Sequence, residues 1–253
     1  MRNKAYLTIA LLTMLQASIK AQVNVRDSAT QGMIFGIGAG YYVPGGQMAE
    51  RFGNNGDVSF DVWYKTKNNY LFGIGGSFLF GNDVKVENSM FRPLEGQRGL
   101  MFDLNGNFGE YKVLQRGFIA TAGVGKIFNQ LGHNRNSGLV LFLNGGYVQH
   151  RIRIENNGQN MPQINEPYYK GYDQLSGGLA LRQFIGYLHS GNRRTINFLI
   201  GFDFLQGFTE DFRGYNYVTG SSPSDIQNDF INGVRFIWFL PVYDKNNQQY
   251  YYR

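Results

Sequence analysis

The chain has 253 residues, of which 34 are glycine and 38 are Phe or Tyr, and it carries a formal charge of +6. It contains no cysteine, which excludes disulfides, thiolate metal sites and lipid attachment through an N-terminal cysteine. The basic residues form no dense run, so we expect no nucleic-acid partner. The mean hydropathy of −0.31 does not exclude a membrane protein, because strands of a membrane barrel turn only alternate residues toward lipid.

The first 21 residues are typical of a secretory signal peptide. Two cations, Arg2 and Lys4, precede a mostly apolar run from Ala5 to Leu15, and small residues lead up to Ala21. We therefore expect cleavage after Ala21, which leaves residues 22–253 as the mature chain. The alternative, an uncleaved anchor helix, is disfavoured because the apolar run is short.

Eight later segments alternate apolar residues with small or polar ones, which predicts β-strands with one apolar face. In the clearest, Tyr70, Phe72 and Ile74 share one face while Gly73 and Gly75 share the other. The predicted strands are Gly32 to Val43, Val58 to Thr66, Tyr70 to Gly81, Gly117 to Phe128, Gly138 to Arg151, Gly177 to Ser190, Thr195 to Gly207 and Phe230 to Tyr243.

The connections between these segments alternate in length, starting with a long one. Lys67-Asn68-Asn69 and residues 191–194 read as tight polar turns, and Pro44-Gly45-Gly46 is expected to end the first strand. Residues 99–107 and 110–114 also alternate locally, so ten strands are the competing count. Alternating short and long connections with an even strand number are typical of outer-membrane barrels, whose termini both lie in the periplasm.

No amphipathic helix is available to cover the apolar faces, and no later stretch approaches a spanning helix. The sequence therefore predicts an all-β fold, an antiparallel up-and-down transmembrane β-barrel, with lipid outside and glycines crowding the lumen. Aromatic residues near the strand ends are expected to form the two interfacial girdles; they are Tyr41, Tyr42, Tyr64, Tyr70, Tyr187, Trp238 and Tyr243.

The Gly-rich first strand (residues 35–42), the long loops and the final strand (residues 234–243) resemble the small outer-membrane β-barrel proteins of Gram-negative bacteria. The richness in Asn, Gly, Tyr and Phe is similar to barrels of the Bacteroidota. This resemblance implies an outer-membrane location. It also implies, as candidate partners, the type IX secretion apparatus and the barrel assembly complex, which recruit small barrels.

Charged residues on the glycine face of the strands are expected inside the barrel, because charges facing lipid are costly. The predicted lumen charge network is Asp61, Lys65, Arg182, Asp203 and Arg235, with Asn144, Asn197 and His150 beside it. Opposite charges in so narrow a lumen should pair and plug it. The alternative is a narrow conduit for small solutes.

The sequence gives no catalytic, cofactor-binding or metal-ligating motif. The glycines of residues 36–40 are not followed by a helix, which excludes a dinucleotide loop. His133 and His189 fall at predicted periplasmic turns, and His150 has no evident Ser and acid partner, so we expect no enzyme activity.

Function is therefore expected in the loops or the outer wall. The loops contain aromatic side chains among Asn and Gly, a composition suited to adaptable contacts; the possible contact residues are Tyr168, Tyr169, Tyr172, Phe212, Tyr215 and Tyr217. The favoured interpretation is a structural or accessory subunit of an envelope assembly, in contact with outer-membrane lipid. A narrow pore, a surface adhesin or ligand-binding barrel, and a soluble lipid-binding barrel are the alternatives.

Overall fold

The computed structural model describes residues 29–92, 94, 101–156, 161–191, 196–221 and 225–243. The predicted signal peptide and the residues after Tyr243 lie outside the described residues. Eight antiparallel strands, each paired with its sequence neighbours, close into a barrel when β1 pairs with β8. They are β1 (Gly32–Gly46), β2 (Asn55–Lys65), β3 (Tyr70–Gly81), β4 (Lys112–Phe128), β5 (Gly138–Glu155), β6 (Ser176–Ser190), β7 (Asn197–Asp211) and β8 (Gln227–Tyr243).

The eight-stranded prediction is confirmed, and the ten-stranded alternative is wrong. Residues 110 and 111 only lead into β4, which begins at Lys112. Phe102 and Phe108 pair in an isolated bridge outside the barrel, and the described residues around them form a small hairpin in the β3–β4 loop. The residues of this hairpin alternate as a strand does, but its two arms pair with each other and not with the barrel sheet.

Three of the four connections at one end of the barrel, β3–β4, β5–β6 and β7–β8, are the longest of the seven, and this end is called the outer end below. Short helices α1 (Gln47–Arg51) and α2 (Glu87–Met90) lie in its first two connections, and 3-10 turns at Pro162–Ile164 and Tyr168–Gly171 lie in its third. The other, inner end holds the three remaining connections, together with the start of β1 and the end of β8.

Several strands extend further than the sequence predicted. β1 continues through Pro44, Gly45 and Gly46, although these residues were expected to end it. Beyond Tyr42 this strand is paired with β8 alone, because β2 begins only at Asn55. Proline is tolerated where a strand has a neighbour on one side only, since the missing N–H then breaks no ladder.

The outer wall of the barrel is apolar. Large hydrophobic side chains point away from the barrel axis on every strand and are exposed. Examples are Ile37, Val58, Phe60, Phe72, Ile74, Phe78, Val124, Leu143, Ile200, Phe202, Val234 and Phe236. Such a band around a closed sheet is the surface that lipid covers in transmembrane barrels, and it is the reverse of a soluble lipid-binding barrel. Within the described residues, no helix is long and apolar enough to cross a membrane.

The interfacial girdle is partly different from the prediction. Tyr41, Tyr64, Tyr70 and Trp238 lie on the outer wall, but Tyr42 is only 1% exposed and points into the lumen. Tyr243 also points inward, where its hydroxyl lies 3.2 Å from the Ser190 hydroxyl. The strand period of two explains both exceptions, because neighbouring residues of a strand face opposite sides.

The interior of the barrel is built in layers. An inner apolar layer contains Ile34, Trp63, Phe142 and Phe239, and an outer apolar layer is continuous with the packed loops. Inward glycines leave the room that these side chains need: a Cβ on Gly73 would lie 2.3 Å from the Trp63 ring. Polar and charged residues occupy the level between the two layers.

Candidate functional site

A charged belt crosses the lumen between the two apolar layers, and Arg182 of β6 is at its centre. The Arg182 Nε donates to both carboxylate oxygens of Asp203 on β7, at 3.0 Å each. Its Nη2 donates to the Tyr42 hydroxyl at 3.1 Å, and its Nη1 donates to the Ser77 hydroxyl at 3.2 Å. The Asp57 carboxylate lies 3.4 Å from Nη2. One guanidinium therefore links five strands across the lumen.

A second ion pair completes the belt. Arg235 of β8 donates to Asp61 of β2 at 2.8 Å, and the Ser59 hydroxyl donates to the same carboxylate at 3.3 Å. A cavity of about 20 Å³ lies between the two pairs, which is roughly the space of one water molecule. Gly75 faces Asp61 so closely that a Cβ there would lie 2.3 Å from its carboxylate oxygen. The belt therefore occludes the cross-section of the barrel at this level.

The structure brings Asp61, Arg182, Asp203 and Arg235 of the predicted network together, but it separates Lys65 from them. The Lys65 ammonium lies at the inner end, where it donates to the Thr30 carbonyl at 2.7 Å and the Asn136 amide oxygen at 2.9 Å. Of the associated amides, Asn144 lines the small cavity. Asn197 lies at the inner end and accepts from the Gly191 N–H at 3.0 Å.

Sequence reasoning missed Tyr42, Asp57 and Ser77 as members of the belt. Tyr42 has the parity of the inward glycines Gly36 to Gly40, so alternation places it in the lumen. Asp57 has the parity of Asp61 but lay outside the predicted strand. Applying the period of two within the first predicted strand would have identified Tyr42, and extending it one residue before the second predicted strand would have identified Asp57.

A second buried polar cluster lies near the outer end, around Asp229 of β8. Its carboxylate accepts from the His150 Nε2 at 2.8 Å, from the Arg51 Nη2 at 3.1 Å and from the Thr209 hydroxyl at 2.6 Å. The expectation that His150 lacks an acid partner is therefore wrong; β8 begins before Asp229, three residues earlier than predicted. Ser176 accepts from Arg51 at 3.0 Å rather than from His150. Arg51 belongs to α1, so this cluster fastens the first loop to the barrel.

The outer loops fold into a cap with its own apolar core. Met48 and Phe52 from the first connection, Met90 and Phe91 from the second, and Met161 from the third are all fully buried. Because these side chains come from three different connections, they hold the loops to one another and to the outer apolar layer of the barrel.

Polar contacts join the third and fourth connections within the cap. Arg213 donates through Nε to the Asp173 carboxylate at 2.9 Å, and this hydrogen bond raises the pKa of Arg213 above its usual value. The Tyr217 N–H donates to the Gly171 carbonyl at 2.9 Å. The rings of Tyr172 and Tyr217 meet edge to face, with centroids 5.2 Å apart. Gly171 is required here, because a Cβ would lie 2.1 Å from the Tyr217 ring.

Aromatic side chains are exposed on the surface of the cap. Tyr168, Phe212, Tyr215 and Tyr217 are 43 to 54% exposed, and Tyr169 is partly exposed. Tyr172 is different: it is only 6% exposed and packs against Phe91, so it is a core residue of the cap and not a surface contact. The aperiodic loop sequence gave no sign of this burial.

A pocket of about 320 Å³ opens on this surface. Its walls are Leu94, Pro162 and Gln163 together with the rings of Tyr168, Tyr172 and Tyr217. Gln163 is fixed by donating to the Phe102 carbonyl at 2.9 Å. A concave site lined by aromatic rings with a few polar atoms is suited to binding a ligand. Among the described residues, no group of three or more His, Cys, Asp or Glu side chains is placed to hold a metal ion.

The apolar wall, the charged lumen and the closed antiparallel sheet define a barrel of the transmembrane type. No protein-family model matches the chain, and no curated protein sequence matches it.

Among solved structures, the chain is similar to Ail, the attachment invasion locus protein of Yersinia pestis, in complex with the heparin analogue sucrose octasulfate. The identity is 11% and the TM-score 0.39, over 83% of this chain and 99% of Ail. Neisserial surface protein A is 8% identical with a TM-score of 0.38, over 83% and 96%. The N-terminal barrel domain of OprF from Pseudomonas aeruginosa is 11% identical with a TM-score of 0.33, over 83% and 99%.

Proposed function

We propose that this protein is a non-enzymatic, non-conducting barrel of the outer membrane that serves as a structural or accessory subunit and docks to a larger envelope assembly. The observation that carries the proposal is the Arg182 belt beneath a packed cap. A transport pathway needs an open lumen, whereas this lumen is crossed by hydrogen bonds from five strands.

The orientation follows from the loops. Outer-membrane barrels place short turns in the periplasm and long loops outside. By that rule the cap faces the exterior and both termini face the periplasm, which agrees with export by the predicted signal peptide. By resemblance, the candidate assemblies are the type IX secretion apparatus and the barrel assembly complex.

The cap supports docking because its loops pack on a shared apolar core and it exposes aromatic side chains. Association costs less when the binding surface is ordered beforehand, and the apolar core and the Arg213–Asp173 pair order this one. Exposed tyrosines are among the residues that contribute most to binding energy in protein interfaces.

The pocket of about 320 Å³ supports a second candidate, a surface adhesin or ligand-binding barrel. The two exposed tyrosine rings beside this concave site, Tyr168 and Tyr217, are suited to stacking on a sugar ring or on an extended peptide. The two candidates differ in the partner of the cap: a component of the same cell's envelope in the first, and an external molecule in the second.

Site-specific photo-crosslinking tests the proposal. A photoreactive amino acid replaces Tyr215 on the cap in one strain and Phe202 on the barrel wall in another, and the products are identified by mass spectrometry. We expect a fixed envelope partner from at least one position. Products with external material alone would support the adhesin, and an absence of products from both positions would refute the accessory role.

Planar-bilayer recording tests the rival pore. We expect no reproducible conductance from the unmodified protein. Discrete channel openings that change on substitution of Arg182 or Arg235 would establish a conduit and overturn the proposal.

A further inference from the structure

Positive charge on the outer wall is concentrated in one sector. The described strands contain eight Lys and Arg residues, of which Lys65, Arg182 and Arg235 point inward. Of the five that point outward, Lys126 lies near the inner end of β4. The other four, Lys112, Arg116, Arg151 and Arg153, lie together at the outer ends of β4 and β5.

Within this sector two arginines face each other directly. Arg116 of β4 is the register partner of Arg151 of β5, so their Cβ atoms lie about 4.5–5.5 Å apart. Like charges in such a pair destabilise a sheet. Arg153 is neutralised by Glu155 at 2.9 Å, but no described acidic side chain lies within ion-pair distance of Arg116 or Arg151. The pair is therefore a local excess of positive charge, which an anion would neutralise.

The position of the pair along the barrel indicates which environment supplies the anion. Between Lys126 and Arg116 the outward residues of β4 are apolar: Val124, Ala122, Ala120 and Phe118. Ten residues of strand span about 33 Å, and a tilt of 35–45° reduces this to about 23–27 Å along the membrane normal. The apolar band of a membrane barrel is about 25 Å tall. Arg116 and Arg151 therefore lie at the outer boundary of the hydrocarbon layer.

A pocket of about 370 Å³ connects the two arginines with the apolar wall below them. Arg116, Arg151 and Gln149 line its polar side, and Phe78 and Phe118 line its apolar side. Arg116 is held in place because its Nη1 donates to the Gln115 carbonyl at 2.7 Å and to the Gly81 carbonyl of β3 at 3.4 Å. The pocket thus presents cations above and aromatic rings beneath, which matches an amphiphile with an anionic head.

We propose that Arg116 and Arg151 bind a phosphate group of a phosphorylated glycolipid in the outer leaflet of the membrane. The phosphate lies between the two guanidinium groups and cancels their repulsion, while an acyl chain of the same molecule runs down over Phe118 and Phe78. Below these rings the wall is flattened by Ala120 and its register partner Gly76, which leaves space for the chain.

A lipid fits this site better than a soluble anion does. A free phosphate or sulfate would satisfy the two arginines but would leave the aromatic side of the pocket uncovered. Guanidinium groups hold phosphate through charge-assisted and bidentate hydrogen bonds, which favours arginine over lysine at such a site. This inference rests on the proposed placement of the barrel in an outer membrane with the cap outside.

Native mass spectrometry of the detergent-purified full chain tests the site, with diphosphorylated lipid A as the probe. We expect a bound lipid whose apparent Kd rises about tenfold in R116Q and in R151Q, and further in the double variant. K126Q removes an outward cation at the opposite boundary and R153Q removes one that is already paired; both are expected to leave the Kd unchanged.

A comparison of ligands on the unmodified protein keeps the test independent of how the variants fold. Lipid A lacking both phosphates should bind at least tenfold more weakly, and millimolar inorganic phosphate should not displace the intact lipid. Equal affinity for the two lipids, displacement by inorganic phosphate, or a double variant that binds as the unmodified protein does would each overturn the proposal.

The two proposals fail in different ways. If the double variant binds lipid normally while the cap still cross-links to its partner, only the lipid site is refuted. If the protein does not insert into lipid vesicles at all, the proposed location fails first.

Discussion

Substitution of Arg182 by methionine is the most informative perturbation of the lumen. The change keeps most of the side-chain volume but removes the donor that serves Asp203, Tyr42, Ser77 and Asp57. Asp203 and Asp57 are each 1% exposed, so their charges have no access to bulk water. The variant leaves them without their cation.

Breaking a buried ion pair by removing one partner costs about 3–5 kcal/mol, because the remaining charge is buried and uncompensated. Since Arg182 faces two carboxylates, we expect the free energy of unfolding to fall by an amount near the upper end of this range, about 4–5 kcal/mol. Typical domains are stable by about 5–15 kcal/mol, so the variant should unfold at much lower denaturant concentration. Arg235→Met, which leaves only Asp61 unpaired, should lose less, about 3 kcal/mol.

Urea titration of the barrel in detergent micelles, followed by tryptophan fluorescence, measures the difference. Trp63 lies in the lumen and Trp238 on the wall, so the fluorescence reports on both surfaces. The double variant Arg182→Met/Asp203→Asn should recover part of the loss, and the double-mutant cycle gives the coupling energy. A loss below about 1 kcal/mol for Arg182→Met would show that the belt is hydrated, and would refute the reasoning.

Three further outcomes are expected from substitutions elsewhere. Phe202→Arg on the apolar wall should make the free energy of insertion into lipid vesicles less favourable by about 2–4 kcal/mol, whereas Phe202→Leu should insert normally. Equal insertion of the two variants would contradict the lipid-facing assignment of Phe202. Gly171→Ala should displace the Tyr217 ring and destabilise the cap by about 1–3 kcal/mol, seen as faster proteolysis of the loops while the barrel stays intact. Arg213→Gln should likewise speed proteolysis of the fourth connection, because it leaves Asp173 buried and unpaired, whereas Lys170→Gln, whose partner Glu166 is exposed, should not.

The barrel itself was predictable because its signal is local. Alternation places Phe72 outside and Gly73 inside without any knowledge of distant residues, and eight such segments require closure. The same rule predicted Asp61, Arg182, Asp203 and Arg235 for the lumen. It failed only at the strand ends, where Tyr42 was assigned to the girdle and Asp229 was left outside β8.

The cap was not predictable, because the loop residues that form its contacts follow no hydrophobic periodicity in the sequence. Phe91 and Tyr172 lie 81 positions apart in the chain and meet through loops of irregular conformation. Nothing in either local sequence distinguishes a buried tyrosine such as Tyr172 from an exposed one such as Tyr168. The Arg116 and Arg151 pair was hidden for another reason: its residues lie on different strands, and only the register brings them together.

The charged belt that closes the lumen is made of strand residues, whereas the cap is made of loop residues. Closing the lumen and binding a partner therefore depend on different parts of the chain. The belt residues all lie within strands: Tyr42, Asp57, Ser77, Arg182 and Asp203. If the barrel is non-conducting as proposed, insertions and replacements beyond the strand ends should not make it conduct. The proposed function therefore implies that foreign loop sequences can be displayed on this barrel while the lumen stays closed.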